Sequence, residues 1–342
     1  MSTVVCFGEI MMRLSPPGYL RIGQSDMLGM TFGGAEANVA VSLANYGMNA
    51  RYVTRLPDNM ISASFLNQIR GFGVDANHIA FGGDRMGIYF VEKGASMRPS
   101  KVIYDRKHSS IAEAAPGDID WNAVFEGADW FHFTGITPAL SSGAAELTEE
   151  GILAAKARGI TVSCDLNYRK NLWSRDKAKS VMTELVKSVD VLIANEEDAQ
   201  DVFGISAAGS DIEGGALNEA GYRELAGKLA DTFGCRKVAF TLRESISAND
   251  NNWSGLLYDA QSKTAHRSKQ YAIHIVDRVG GGDSFGAGLI YGMLNGMADE
   301  QAIAFAAAAS ALKHTIEGDF NRVTVAEVNA LTGGSTSGRV QR

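Results

Sequence analysis

Short apolar runs alternate with stretches of helical periodicity along most of the chain. Val4 to Gly8, Tyr52 to Thr54, Trp130 to Thr134, Ile160 to Cys164, Val189 to Ala194 and Lys237 to Thr241 read as buried strands. Between them Ala35 to Tyr46, Gly143 to Arg158, Asp176 to Lys187 and Ala220 to Phe233 carry helical spacing, each ending near glycine, aspartate or a short polar turn. This rhythm predicts an α/β fold: a doubly wound, mostly parallel sheet flanked by helices, with ligands gathered beyond the carboxyl ends of the strands.

Two stretches break the rhythm. Residues 11–32 and 87–105 hold β-like fragments such as Gly87-Ile88-Tyr89-Phe90-Val91-Glu92 and Lys101-Val102-Ile103-Tyr104, with no helix between them. They are expected to form a small second sheet, inserted at those two points of a single domain spanning 1–342 and covering the site as a lid; decorative loops are the alternative. The tail from Thr332 to Gly338 is flexible by composition.

Composition narrows the function. With 45% hydrophobic and 21% charged residues among 342, the chain has ordinary globular composition, and its 38 glycines show no three-residue period. A net charge of −7 supplies no basic field for nucleic acid or an anionic membrane, so any phosphate must be held by local geometry. No secretion signal stands at the N-terminus, and the most apolar windows, Phe285 to Leu294 and Ala302 to Leu312, are too short to span a bilayer. Cys6, Cys164 and Cys235 are far apart, as expected of reduced thiols in a cytoplasm.

The strongest chemical signal is Asp277-Arg278-Val279-Gly280-Gly281-Gly282-Asp283-Ser284, leading into an apolar helix. Consecutive glycines can aim several amide hydrogens at one point, and a helix start adds partial positive charge there. Asp283 at the same corner puts a carboxylate beside the anion site, as attack by a hydroxyl on a phosphoryl group requires. The alternative is a helix cap in which Asp283 bonds only free backbone amides. No G-x-x-x-x-G-K-[ST] occurs, and the partial G-x-G-x-x-A match from Gly71 to Ala76 follows a helical stretch rather than a strand.

Four motifs in order, Gly33-Gly34-Ala35-Glu36-Ala37-Asn38, Asp165-Leu166-Asn167-Tyr168-Arg169, Asn195-Glu196-Glu197-Asp198 and the late G-G-G-D, resemble the ribokinase-like PfkB carbohydrate kinases over nearly the whole chain. Gly87-Ile88-Tyr89, Tyr104-Asp105-Arg106 and the Arg169 motif are together similar to 2-keto-3-deoxygluconate kinases within that family. The resemblance implies a ribokinase-like fold, ATP and Mg²⁺ as cofactors, and a homodimer formed through the lid. It makes Asp283 the general base and gives the Gly280, Gly281 and Gly282 amides the transferring phosphoryl group. Gly34 and Asn38 would face the sugar, and Asn195 and Asp198 would order water and Mg²⁺ about the nucleotide. Asp198 is shorter than the family's usual glutamate, so metal contact through water is the most it implies. Thr241 begins the family's nucleotide-binding T-L-G-x-x-G, with Arg243 in place of the glycine. Leu56-Pro57-Asp58 stands where relatives carry G-D-D-x-x-G. Val279 replaces a frequent threonine beside the monovalent-cation loop, and Ala307 a frequent His or Asn on the adenine side. Monovalent-cation dependence and adenine selectivity are therefore left open.

The remaining polar candidates are weaker. His132 lies among aromatic residues on a core strand and reads as a hydrogen-bonded core histidine; no His, Cys or carboxylate cluster has zinc spacing. Lys101, Arg106, Lys107 and His108 form a short basic cluster that reads by default as a solvated strand end; with Tyr89 and Tyr104, and with Arg169, Arg106 can instead form a clamp for a substrate carboxylate, which arginine's planar fork suits. The expected reaction is phosphorylation of 2-keto-3-deoxygluconate at its 6-hydroxyl by Mg·ATP. A PfkB kinase for a neutral ketose such as fructose, and a catalytically idle sugar-acid sensor, are the rivals.

Overall fold

The apolar runs become the six parallel strands of a nine-stranded sheet in the computed structural model, which describes residues 1–206 and 219–335. Its strands lie in the order Thr264–Arg267, Asp250–Asp259, Lys237–Ser245, Val191–Ala194, Thr161–Asp165, Trp130–Thr134, Thr3–Phe7 and Asn49–Val53, with Tyr271–His274 also paired to Asp250–Asp259. From Lys237–Ser245 to Asn49–Val53 every pairing is parallel. Side chains alternate between two packed layers, as period-two geometry requires. Val5, Phe7, Phe131 and Phe133 enter one layer; Val4, Cys6 and Trp130 enter the other, against Phe285, Leu289 and Ile303 of the two late helices. All three cysteines are buried and unpaired, and His132 is buried with Nδ1 2.8 Å from Ser163 Oγ.

One expected boundary is corrected. The strand expected to end at Thr241 runs on to Ser245, because Asp250–Asp259 folds back antiparallel to it, placing Gly255 opposite Thr241 and Trp253 opposite Arg243. This return strand and the two after it were not expected, since Asp250-Asn251-Asn252 has turn composition. The tail from Thr332 to Gly338 lies outside the described residues from 336 onward; Thr332 itself ends the helix Val325–Thr332.

The two stretches that break the rhythm form a separate four-stranded sheet in the order Gly29–Gly33, Met11–Ser15, Gly87–Glu92, Lys101–Asp105. Its central strand is tied to the main body by Arg13, only 2% exposed. The guanidinium donates to Asp277 Oδ2 and to Asp319 Oδ1, each at 2.6 Å. Tyr89 on the neighbouring strand donates its hydroxyl to Asp319 Oδ2 at 2.5 Å. A Cβ on Gly33 would fall 1.9 Å from that same oxygen, so the close approach itself requires glycine.

Removing Arg13 would take from two buried carboxylates the cation that bonds both, leaving Asp277 only the more distant Lys93, and deleting one partner of a buried pair costs about 3–5 kcal/mol. Arg13→Leu is therefore expected to lower stability by that order in denaturant titration. An unchanged midpoint would show that the ion network does not fasten the second sheet.

Candidate active site

At the carboxyl ends of the parallel strands, beneath the small sheet, lies a cavity of about 350 Å³. The ends of Thr161–Asp165, Val191–Ala194 and Lys237–Ser245 supply Asp165 and Arg169, Asn195 and Asp198, and Thr241 and Arg243. The small sheet and the loop after it supply Tyr89, Tyr104 and Arg106; the helix Ala35–Asn45 and its N-cap supply Asn38 and Gly34. Gly280, Gly282 and Asp283 close the floor. Of the residues expected to bind substrate, nucleotide or phosphoryl group, Gly281 alone is not among the described residues that line the cavity.

The floor is the start of the helix Gly281–Leu294, whose N-cap Gly280 sits at φ +84, a left-handed conformation suited to glycine. No side chain caps this helix. Among the described residues the Gly282 and Asp283 amides have no protein acceptor, whereas the Gly281 amide donates to the Arg278 carbonyl at 3.3 Å. The cradle expected from three glycine amides is thus corrected at Gly281. A Cβ there would stand 2.2 Å from the His314 ring, while one on Gly282 meets nothing within 4 Å. Gly281 is small to admit His314, and Gly282 faces open space.

Asp283 lies in the first turn, half-buried, with its Oδ2 accepting from Asn38 Nδ2 at 2.7 Å. Burial pushes its carboxyl up to about 6; the Asn38 hydrogen bond opposes this, Asp319 adds to it, and Arg169 and Lys313 oppose it. Asn38 Oδ1 is buried with no protein partner. Glu36 of the same helix faces away. Its Oε1 accepts from the Thr134 amide and hydroxyl at 3.0 and 2.7 Å, and burial pushes it up to about 7.

Asp165 and Asp198 crowd the wall with Asp283, and burial followed by the Asp198 and Asp283 charges holds Asp165 well above the carboxylate range. Asn167 between them has φ +40, uncommon for a non-glycine residue, and its amide donates to Asp165 Oδ1 at 3.1 Å. Asp198 is buried rather than solvated: it forms a capping box with Asn195 and accepts from the Tyr168 amide at 3.2 Å. Burial pushes it up to about 6, with Arg169 opposing. Among the described residues no group of three or more His, Cys, Asp or Glu is placed to hold a metal ion.

On the small-sheet side Tyr89 and Tyr104 stack with centroids 6.0 Å apart, and the Arg106 guanidinium lies 4.4 Å from the Tyr104 ring centre. Arg106 is buried, with Nη2 3.0 Å from Glu9 Oε2 and Nε without a protein partner. Gly34 has extended backbone, and a Cβ would fall 2.1 Å from the Glu9 carbonyl oxygen. What requires glycine at this position, expected to face the sugar, is the close approach of the protein's own backbone.

Opposite stand Thr241, Arg243, Asn251, Trp253, Arg278 and His314. Burial, then the Arg243 charge, presses the Arg278 guanidinium below the usual arginine range. Neither arginine has an acidic ion-pair partner among the described residues. His314 stacks at a tilt on Trp253, 4.9 Å between centres, with Nδ1 donating to the Ser310 carbonyl at 2.7 Å; burial pushes it down to about 4. Ala307 is fully buried and lines no part of this cavity. Glu9, Arg13, Arg278, His314 and Asp319 were missed from sequence. Arg278 alone carried a signal, its place two residues before the glycines.

Known proteins resemble this chain over nearly its whole length. The profile of the family described as "pfkB family carbohydrate kinase" matches residues 1–322. The chain is 34% identical to a 2-dehydro-3-deoxygalactonokinase of Haloferax volcanii over 98% of each chain. It is 28% identical to a 2-dehydro-3-deoxygluconokinase of Thermoproteus tenax over 93% of this chain and 90% of that one. A crystal structure of a 2-dehydro-3-deoxygluconokinase from Thermotoga maritima superposes with a TM-score of 0.94 at 49% identity, covering 98% of this chain and all of that one.

Two outcomes follow from the floor. Asp283→Asn is expected to lower kcat at least about 10²-fold with the fold intact, as loss of a general base does. A carboxylate base near 6 must be ionised to act, so wild-type kcat/KM should fall about tenfold per pH unit below 6, and the variant should lack that limb. Near-wild-type turnover in Asp283→Asn would remove the assignment. Gly281→Ala should cost stability through the His314 clash, whereas Gly282→Ala should melt normally yet turn over poorly. Equal melting losses would refute the distinction.

Proposed function

The chain belongs to the pfkB family of carbohydrate kinases, and from that premise we propose that it transfers the γ-phosphoryl group of ATP to the 6-hydroxyl of 2-keto-3-deoxygluconate, also called 2-dehydro-3-deoxygluconate. One observation carries the sugar-acid reading: the cavity that holds Asp283 and the free helix-start amides is also lined by two arginines, Arg106 beside the Tyr89–Tyr104 stack and Arg169 near the Asp165, Asp198 and Asp283 carboxylates. The buried, unpartnered Arg106 Nε offers a charge-assisted donor to a carboxylate, and Glu9 offsets the rest of its charge. Asn38 Oδ1 is an acceptor left for a sugar hydroxyl. The named relatives act on sugar acids of this class, which supports the same choice.

The nucleotide phosphates enter from the side of Thr241, Arg243 and Arg278, where neither arginine forms an acidic ion pair among the described residues. Mg²⁺ bound with ATP neutralises phosphate charge and keeps much of its water; Asn195 and Asp198 would hold that water, since Asp198 is already committed to its cap. Asp283 takes the hydroxyl proton as attack proceeds, and the Gly282 and Asp283 amides, with Gly280 behind them, meet the charge that develops on the phosphoryl oxygens. The small sheet acts as a lid that excludes water, leaving catalysis to positioning and electrostatics.

The outer face of that sheet supports a dimer. Met30, Leu14, Phe90 and Ile103 share one register across all four strands, and Met30 and Ile103 are 53% and 56% exposed. A matching stripe on a second copy would cover them. Buried, unpaired cysteines and a small-molecule substrate fit a cytoplasmic enzyme.

A panel of 2-keto-3-deoxygluconate, its galactonate epimer and fructose, read by ADP release, tests the assignment. The gluconate acid should be preferred over fructose. Arg106→Leu should penalise the acids by about 1.5–3 kcal/mol, roughly 10- to 150-fold in kcat/KM, and fructose far less. Equal losses would make Arg106 a support of the sheet. A preference for fructose would assign the chain to neutral ketoses, and one for the epimer would move the substrate to the galactonate series.

A further inference from the structure

We propose that Lys313 supplies, from within the chain, the single positive charge that a monovalent cation would bring to the loop behind the phosphate cradle, so that this site works without a free cation. The inference rests on the reading of residues 280–283 as the cradle of the kinase reaction. Lys313 ends the helix Asp299–Lys313 and is 0% exposed, among the most buried cations a protein can hold. Its ammonium donates to the Gly318 carbonyl at 2.5 Å and the Ile316 carbonyl at 3.3 Å. These oxygens belong to the turn that delivers Asp319.

That turn bears directly on the cradle. A Cβ on Gly280 would lie 2.3 Å from the Asp319 carbonyl oxygen and 3.1 Å from Lys313 Cε, so ammonium, turn and N-cap glycine form one packed unit. Backbone carbonyls with carboxylates nearby are the surroundings that a hard monovalent ion takes, and a compact ammonium brings the same charge on a tether. Burial lowers the lysine's proton affinity, while Asp277, Asp319 and Asp283 favour its charged form and Arg13 opposes it. A hydrocarbon of equal length would fill the space without the desolvation cost, so the charge itself must be used.

The carboxylate beside Val279 is already engaged by the chain's own donors, with Lys93 Nζ also 4.0 Å from Asp277 Oδ2. Asp277 Oδ1 accepts the Val279 amide at 3.2 Å, and Oδ2 is shared by Arg13 at 2.6 Å and the Gly318 amide at 3.1 Å. The residues present fit a lysine-filled site and not an exchangeable one. Lys313 is then a positioning residue: it holds the Ile316–Gly318 turn, and through Asp319 and Gly280 the free amides of the floor.

The test compares wild type, Lys313→Ala and Lys313→Met in tetramethylammonium, sodium, potassium and ammonium chlorides at equal ionic strength. Melting temperature and turnover are read in each. Wild type is expected to vary by less than about twofold in turnover, with no ion-specific change in melting. Both variants should lose at least about tenfold in kcat, and Lys313→Ala should gain melting temperature saturably with potassium or ammonium, its turnover recovering alongside. Lys313→Met, which fills the space without charge, should respond to none of the salts. The proposal falls if potassium activates wild type by about tenfold or more. It falls equally if Lys313→Met turns over as wild type does, or if folded Lys313→Ala responds to no cation. If Lys313→Ala does not fold, wild type and Lys313→Met decide. The melting arm reads ion binding without turnover, so its result is independent of which sugar is the substrate.

Discussion

The ion network of Arg13 with Asp277 and Asp319 is the constraint on which the rest of the site depends. Three buried charges are expensive to desolvate, and such networks seldom add net stability over a hydrophobic packing of the same shape. Their geometry, however, admits few alternatives. Asp277 opens the segment that becomes the cradle, Asp319 ends the turn behind it, and Arg13 lies on a central strand of the small sheet. Pairing all three fixes the sheet over the floor of the cavity. With Tyr89 also bonded to Asp319, the wall that faces the sugar and the floor that faces the phosphate share one carboxylate.

Around this network the cavity solves a charge problem. The chain is acidic, and Asp165, Asp198 and Asp283 crowd one wall, yet both ligands of the proposed reaction are anions. Positive potential comes from unengaged amides at the helix start, from Arg169 among the carboxylates, and from Arg243 and Arg278, whose mutual repulsion Asp277 opposes without forming an ion pair with either among the described residues. Desolvation lets the carboxylates coexist by raising their proton affinities. Asp198 is further held by its cap, which leaves Asp283 the acid nearest the free amides.

Much of this was legible in the sequence because the signals were local. Apolar runs located all six parallel strands within a few residues, and the absence of helical spacing in 11–32 and 87–105 marked the second sheet. Glycine runs and motif order pointed to Gly34, Asn38, Arg169, Asn195, Asp198, Thr241, Arg243, Gly280, Gly282 and Asp283, all of which line the cavity. What stayed hidden depended on distant chain segments meeting. Arg13 and Asp319 are 306 positions apart, and nothing beside either residue signals the other. The antiparallel return of Asp250–Asp259 was masked by turn-forming residues, and with it went Trp253 and Asn251. Gly281 was misread for a related reason: three glycines look alike in sequence, but only the fold brings His314 under the middle one.

The proton affinity of Asp283 shows how these parts act as one unit. Burial alone would favour the neutral acid, and the nearby Asp319 charge pushes the same way. Asn38, Arg169 and Lys313 oppose it, each from a different part of the chain. Arg13 and Tyr89 engage Asp319, which limits how strongly that carboxylate acts on its neighbour. A base balanced near 6 is ionised at neutral pH yet keeps more driving force for taking a proton than a solvated aspartate has. The buried ion network therefore does two things at once: it places the sheet above the substrate, and it moderates the field felt by the carboxylate beneath.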